Sequence, residues 1–355
     1  MSITRIADLF CGAGGESTGI VQAGHEAGWK LDLAAVNHWP TAIETHRMNY
    51  PEARAYCHDL ASLNPLDVFE AGQRVALLWG SPECTHHSIA RGGRPMSEQS
   101  RASPWLILKW LTELRVDRVI LENVPEFLSW GPLGVDGLPL KSGKGKLFET
   151  FIAALKALGY KVEWRILCAA DFGDPTTRRR LFIQAVRVRG GAKIVWPSPT
   201  HAKNEPGLLP WRPAREIIDW SLQGESIFDR KRPLAPATMR RIEAGIRRYW
   251  GEWAEPFLVR FNGNHAGKMD GENRHHQLEL PLGTLDTSTG WFGPTWYRCM
   301  VSGKGRTRGP TISTSRCRRS PPAAAGSSGW SSPWLCQPAA PNAQRAPFPI
   351  LLVRS

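Results

Sequence analysis

Across roughly the first 190 residues, short apolar runs that end in turn residues alternate with stretches of helical spacing, and this alternation constrains the fold more than any other feature. Ile3–Phe10 runs into a glycine cluster, with a helix expected from Ser17. Leu31–Val36 precedes helical spacing over Pro40–Asn49, and Arg74–Trp79 closes on Gly80-Ser81-Pro82. Trp105–Leu114 is helical in spacing and leads to the strand-like Arg118–Leu121. Phe148–Leu158 leads to Val162–Leu167 and Leu181–Val186. Strands separated by helices cannot pair as tight hairpins; each crossover lays a helix on a sheet face. The expected class is therefore α/β, a doubly wound and mostly parallel sheet that binds ligands at its carboxyl edge.

The rest of the chain reads differently. Gly131–Lys146 is rich in Gly and Lys and is expected to be a mobile loop, while Pro197–Pro213 has the proline content of a linker. These signals divide the chain into a catalytic-type domain over 1–196, a linker over 197–216 and a smaller region over 217–290. The smaller region holds a basic helical stretch, Ala237–Tyr249, and a strand candidate, Phe257–Asn262. From about Gly293 onward Ser, Pro, Arg and Ala dominate, so 291–355 reads as an atypical basic tail. Disorder is one account of it. A shifted reading frame is favoured, because Trp330, Trp334, Cys299, Cys317 and Cys336 are unusual in an evolved disordered tail.

Charge needs the same division. The chain carries +13, but the stretch from Trp291 to Ser355 holds nine Lys/Arg and no acid, which leaves 36 basic and 32 acidic residues in the body. Charge alone thus lends a nucleic-acid partner only slight support. Seven cysteines without paired spacing argue against a disulfide framework and for a reducing, cytoplasmic setting. No apolar stretch approaches the roughly 20 residues of a membrane span, and the N-terminus lacks the features of a signal peptide.

Four segments carry candidate chemistry, each at the end of a strand. Asp8-Leu9-Phe10-Cys11-Gly12-Ala13-Gly14 joins a strand to a helix through a Gly-x-Gly turn, where backbone can approach a ligand. Any glycine turn after a first strand would look similar. Pro82-Glu83-Cys84-Thr85-His86-His87 places a cysteine where a lowered pKa would make it a nucleophile. Its plainer readings are a buried structural cysteine or a metal ligand. Adjacent His86 and His87 can hardly face one ion, and no Cys-x-x-Cys pair exists, so no metal is expected. The same absence argues against a zinc-dependent base deaminase. Glu122-Asn123-Val124 offers a carboxylate for proton transfer, or merely a helix cap. Thr176-Thr177-Arg178-Arg179-Arg180 puts Arg178 and Arg180 on one face of a strand, or forms an exposed basic cluster.

In this order and spacing the four segments resemble the DNA cytosine-5 methyltransferase family over residues 1 to about 290, most closely through Ile183. The resemblance implies a Rossmann-like fold dependent on S-adenosylmethionine (SAM), with a smaller target-recognition region. It implies SAM bound through Asp8, Phe10, Gly12, Gly14, Asn37, His38, Asp59 and Pro82, and catalysis by Cys84, Glu122, Arg178 and Arg180. The Cys84 thiolate would attack carbon 6 of a flipped cytosine, Glu122 would protonate ring nitrogen 3, Arg180 would position the base, and Arg178 would meet the phosphate or the catalytic loop. Arg91-Gly92-Gly93-Arg94 would close over DNA.

The expected partner is double-stranded DNA, read by a monomer. Candidate readers in the smaller region are Arg260, Asn262, Asn264, His265, Arg274 and His275. Arg240, Arg241, Arg247 and Arg248 serve equally well as phosphate contacts or as a solvated face. An RNA substrate, or a DNA-binding relic without turnover, are the alternatives.

The sequence departs from the family in several places. Glu83 and Thr85 flank Cys84 where the family has Pro and Gln, and Glu83 beside the thiol would raise its pKa. The family's ribose-binding acid falls on Asn37. Its adenine-stacking position falls on His38, with Trp39 alongside. Asp59 resembles the residue that reads the adenine amino group, and Thr176 replaces a Gln. After Gly290 no Gly-Asn motif closes the SAM pocket; Asn342 lies in a Pro-Ala stretch. Pro281–Ser288 is the last family-like segment.

Overall fold

The structure is a computed structural model that describes residues 3–83, 102–218 and 275–283, parts of 233–244, and short strand segments at 225–226, 257–261, 290–292 and 313–314. Cys84, His86, His87, the Arg91–Arg94 segment, Arg241, Arg247, Arg248, Asn262, Asn264, His265, Arg274 and nearly all of the tail lie outside the described residues.

The core is a seven-stranded sheet. In chain order it contains β1 (Ile3–Leu9), β2 (Lys30–Asn37), β3 (Arg54–Cys57), β4 (Arg74–Gly80), β5 (Arg115–Asn123), β6 (Tyr160–Cys168) and β7 (Arg179–Arg187). Four helices accompany them: α1 (Gly15–Glu26), α2 (Pro40–Asn49), α3 (Ser103–Glu113) and α4 (Lys146–Ala157). The strand order is β3-β2-β1-β4-β5-β7-β6. Every pairing is parallel except those of β7, which runs antiparallel to both β5 and β6. This is the expected α/β class, a doubly wound, Rossmann-like sheet. The order reverses between β1 and β4, the switch point at which such sheets open a crevice for ligands.

Alternating side chains divide the sheet into two faces. Ala7, Leu9, Ala34, Val36 and Leu78 join the larger cluster, with Ile107, Trp110 and Leu111 of α3 and Phe148, Phe151, Ile152 and Leu155 of α4. The α4 residues recur at helical spacing, which is why that segment folds as an amphipathic helix. Ile6, Leu33 and Ala35 point the other way, toward Ile20 of α1 and Ile43 of α2.

Three segments differ from the sequence expectation in instructive ways. The short strand β3 carries no apolar run; pairing with β2 and the Arg54 guanidinium on Asp32 hold it in place. Gly131–Lys146, expected as a mobile loop, folds into a hairpin in which Gly134 N–H reaches Leu138 O at 2.8 Å and Leu140 N–H reaches Pro132 O at 3.0 Å. The proline-rich stretch after 197 is fastened to the sheet domain: Thr200 N–H donates to Asp171 O at 2.9 Å, and Trp211 Nε1 donates to Asp171 Oδ1 at 3.0 Å.

The chain divides into two compact units. The larger comprises Met1–Pro213 together with Pro281–Thr287, and the smaller includes Ala214–Leu280. In the larger unit, Leu282 returns beside the arginine segment, accepting from Thr177 N–H at 2.6 Å and donating to Pro175 O at 2.8 Å. In the smaller unit, Phe257–Phe261 pairs antiparallel with both His275–Gln277 and Gly290–Phe292.

Candidate functional site

The glycine turn after β1 is built from strained and permissive positions. Phe10 takes φ 61°, uncommon for a residue with a side chain, and Gly12 and Gly14 follow at φ 54° and 99°. At Gly14 a Cβ would stand 2.5 Å from the Tyr50 ring, so the position needs glycine for space as well as for conformation. At Gly12 a Cβ would meet nothing within 4 Å, so that part of the turn stays open to an approaching ligand.

Beneath the turn lies a buried polar network. Asp8, Ser17 and His46 are fully buried. Ser17 Oγ donates to Asp8 Oδ2 at 2.5 Å and lies 2.9 Å from His46 Nε2. With the hydroxyl proton directed at Asp8, His46 must present Nε2–H. Asp8 was expected among the ligand contacts; its carboxyl is buried and holds the Ser17 hydroxyl at the start of α1. Asp8 Oδ1 and His46 Nδ1 find no hydrogen-bond partner among the described residues. Burial holds the Asp8 carboxyl well above its usual range, with the nearby Glu16 adding to the effect and Ser17 opposing it. Burial likewise pushes the Cys11 thiol up and His46 down.

The ends of β2 and β3 form a second wall. Asn37 Oδ1 accepts from Trp39 N–H at 2.9 Å, closing the turn into α2. The carboxamide is thereby engaged in backbone structure, and the polar group exposed here is His38. Trp39 is half exposed. It adjoins His38, where the resemblance places the adenine-stacking position. Asp59 Oδ1 accepts from Ala61 N–H at 2.9 Å. His38 Nε2 and Glu83 Oε1 face each other at 4.0 Å, so two positions that depart from the family pattern meet.

The third wall comes from β4, β5 and the segment entering β7. Gly80-Ser81-Pro82-Glu83 leads toward Cys84, which lies outside the described residues. Ser81 N–H donates to Leu9 O at 3.1 Å, tying this exit to the end of β1. Asn123 Nδ2 donates to Pro82 O at 3.2 Å, and Asn123 Oδ1 accepts from Val124 N–H at 2.9 Å. The Asn next to Glu122 thus fixes the start of the cysteine segment. Glu122 Oε1 receives Arg180 Nε at 2.8 Å, and an Arg178 terminal nitrogen stands 3.9 Å away. Register explains the convergence: Glu122 lies opposite Phe182 across the β5–β7 ladder, so the arginines at 178 and 180 reach past the end of β5. Burial raises the Glu122 carboxyl above its ordinary range even though both arginines oppose the shift.

Sequence reasoning missed Glu16 altogether. It stands in the first turn of α1, and Ser81 Oγ donates to its Oε1 at 3.0 Å. The available signal was an acid directly after the Gly-rich turn, which ordinarily reads as a charge at a helix start. Among the described residues no group of three or more His, Cys, Asp or Glu side chains could hold a metal ion, and no helix is long and apolar enough to cross a membrane.

Comparison with known proteins bears on this arrangement. The C-5 cytosine-specific DNA methylase family matches the chain over residues 4–210. The type II methyltransferase M.AquIA of Picosynechococcus sp. is 30% identical over 204 residues, covering 56% of this chain and 77% of that protein. The type II methyltransferase M.SacI of Streptomyces achromogenes is 31% identical, covering 56% of this chain but 51% of its own length. M.BsuRI of Bacillus subtilis, also a type II methyltransferase, is 25% identical over 328 residues, covering 81% of this chain and 70% of its own.

Proposed function

The chain belongs to the C-5 cytosine-specific DNA methylase family, and on that premise we propose that it methylates carbon 5 of cytosine in a specific sequence of double-stranded DNA, through a covalent adduct between Cys84 and carbon 6 of the base. The observation that carries the reading is the convergence of Arg178 and Arg180 on Glu122, one residue from the Asn123 that anchors Pro82 at the entrance to the cysteine segment.

The residues suit SAM. Phe10, Gly12, Gly14 and Pro82 supply the open turn and its opposite wall. Trp39 supplies an aromatic plane, and His38 and Asp59 supply polar groups at its edge. Asp8 and Asn37 act from behind, holding the turn and the start of α2. When bound, SAM supplies an electrophilic methyl group.

The chain's own groups account for the rest. Carbon 5 of cytosine is a weak nucleophile. Addition of the Cys84 thiolate at carbon 6 breaks the aromatic ring and moves electron density to carbon 5. Glu122 delivers a proton to ring nitrogen 3 as that charge develops, and its burial, which raises the carboxyl above the ordinary range, favours the protonated acid. Arg180 fixes the Glu122 carboxyl and the edge of the base, while Arg178 adds charge toward the phosphate. After methyl transfer, loss of the proton on carbon 5 and expulsion of Cys84 restore the ring. Carbon 6 is stacked within a duplex, so the base must be flipped out. Residues 1–196 would form the catalytic domain and 217–290 the target-recognition region, with Arg260 and His275 among its candidate readers.

Bisulfite sequencing of plasmid DNA from cells expressing the protein tests this directly. Protected cytosines in one sequence context are expected, and Cys84→Ala should abolish them. Protection that survives in Cys84→Ala would assign the nucleophile elsewhere. Protection of RNA alone would move the substrate, and no protection at all would favour a DNA-binding relic.

A further inference from the structure

Within the cofactor site just described, we propose that Glu16 receives the α-ammonium group of SAM. The inference rests on the SAM reading and adds a residue to which neither the motifs nor the fold assigned a role.

Glu16 follows Gly14-Gly15 directly, in the first turn of α1. It is half buried and held from across the switch point: Ser81 Oγ donates to its Oε1 at 3.0 Å, and Trp79 Nε1 donates to Ser81 Oγ at 3.2 Å. The carboxylate is therefore fixed between the ends of β1 and β4. The Ser81 hydroxyl and the Glu16 backbone N–H together occupy only part of what a carboxylate can accept, since its two oxygens offer about four lone-pair sites.

The amino-acid end of SAM carries a carboxylate and an ammonium on the same carbon. Free N–H groups in the first turn of a helix suit the carboxylate. A glutamate in that same turn then lies within reach of the neighbouring ammonium, and a charge-assisted bond results. The surroundings favour a cationic ligand. Asp8 and Glu122 both lie within electrostatic reach of Glu16, and burial raises its carboxyl above the usual range, with Arg178 partly opposing. An arriving ammonium would offset that crowding of acids.

Three ligands separate this role from its rivals by titration calorimetry on the full chain. SAM carries both a sulfonium and an ammonium, S-adenosylhomocysteine carries the ammonium alone, and 5′-methylthioadenosine carries neither. In Glu16→Gln, SAM and S-adenosylhomocysteine are expected to weaken by the same factor, about tenfold or more. Methylthioadenosine should bind within about twofold of the unmodified chain, which also certifies that the variant is folded. Equal weakening of all three ligands would reduce Glu16 to a structural role, and weakening of SAM alone would assign it to the sulfonium; either overturns the proposal, as does no change. Failure of the unmodified chain to bind any of the three would instead overturn the cofactor reading itself.

Discussion

The two faces of the sheet are built on different principles. On the α3/α4 face the aromatic side chains of Trp105, Phe127, Trp130, Phe148 and Phe151 pack ring against ring, with centroid separations of 5.0 to 6.4 Å. The α1/α2 face has fewer large apolar groups and buries Asp8, Ser17 and His46 under a glycine turn. Fully burying one large apolar side chain stabilises by about 1.5–3 kcal/mol. A buried polar group merely avoids a penalty when bonded. The first face therefore supplies stability. The second accepts a weaker core in order to hold a turn whose backbone a ligand can approach.

That contrast predicts separable effects. Phe151→Ala on the aromatic face should lower the unfolding free energy by about 3–5 kcal/mol, read by urea titration, while SAM affinity of the folded protein stays within about twofold. An affinity that fell in step with stability would show that the two faces are not independent.

Gly14→Ala on the other face should act on binding. The left-handed backbone carries a strain of about 1–3 kcal/mol, and the added methyl meets the Tyr50 ring. The turn must shift, and SAM binding by calorimetry should weaken by roughly tenfold or more, since a misplacement worth 1.4 kcal/mol already costs that factor. Unchanged affinity would mean that the turn is not the cofactor wall.

The smallest expected effect is a pH dependence. Burial lowers the His46 pKa in the fold, so the unfolded chain binds a proton that the folded one does not. Stability should therefore be full above about pH 6.5, the ordinary histidine value, and decline as pH falls through the lowered folded value. His46→Gln should flatten that decline in thermal melts between about pH 7 and pH 5. A slope identical to that of the unmodified chain would place the titrating group elsewhere.

Much of the fold was legible because it depends on local periodicity. Apolar runs gave six of the seven strands, and α2 spans the residues its spacing predicts. The strand β3 was not legible, because Arg54–Cys57 has no apolar run and exists through pairing with β2. Gly131–Lys146 has the composition of a loop, yet its hairpin depends on Leu140 meeting Pro132 and Gly134 meeting Leu138. At the site, Glu122, Arg178 and Arg180 were visible as residue types at strand ends. The buried network of Asp8, Ser17 and His46 was not, since His46 reaches Ser17 from 29 residues away.

Sequence alone determined the strand-and-helix alternation, the glycine turn and the identity of the acid and its two arginines. Each is encoded in residues close together along the chain, where periodicity and conformational preference act directly. Tertiary structure decided that Glu122 meets both arginines, that Ser17 and His46 brace Asp8, and that Glu16 faces Ser81. All but the Ser17–Asp8 bond join residues tens of positions apart, and their geometry follows from strand order and register, which no local preference specifies.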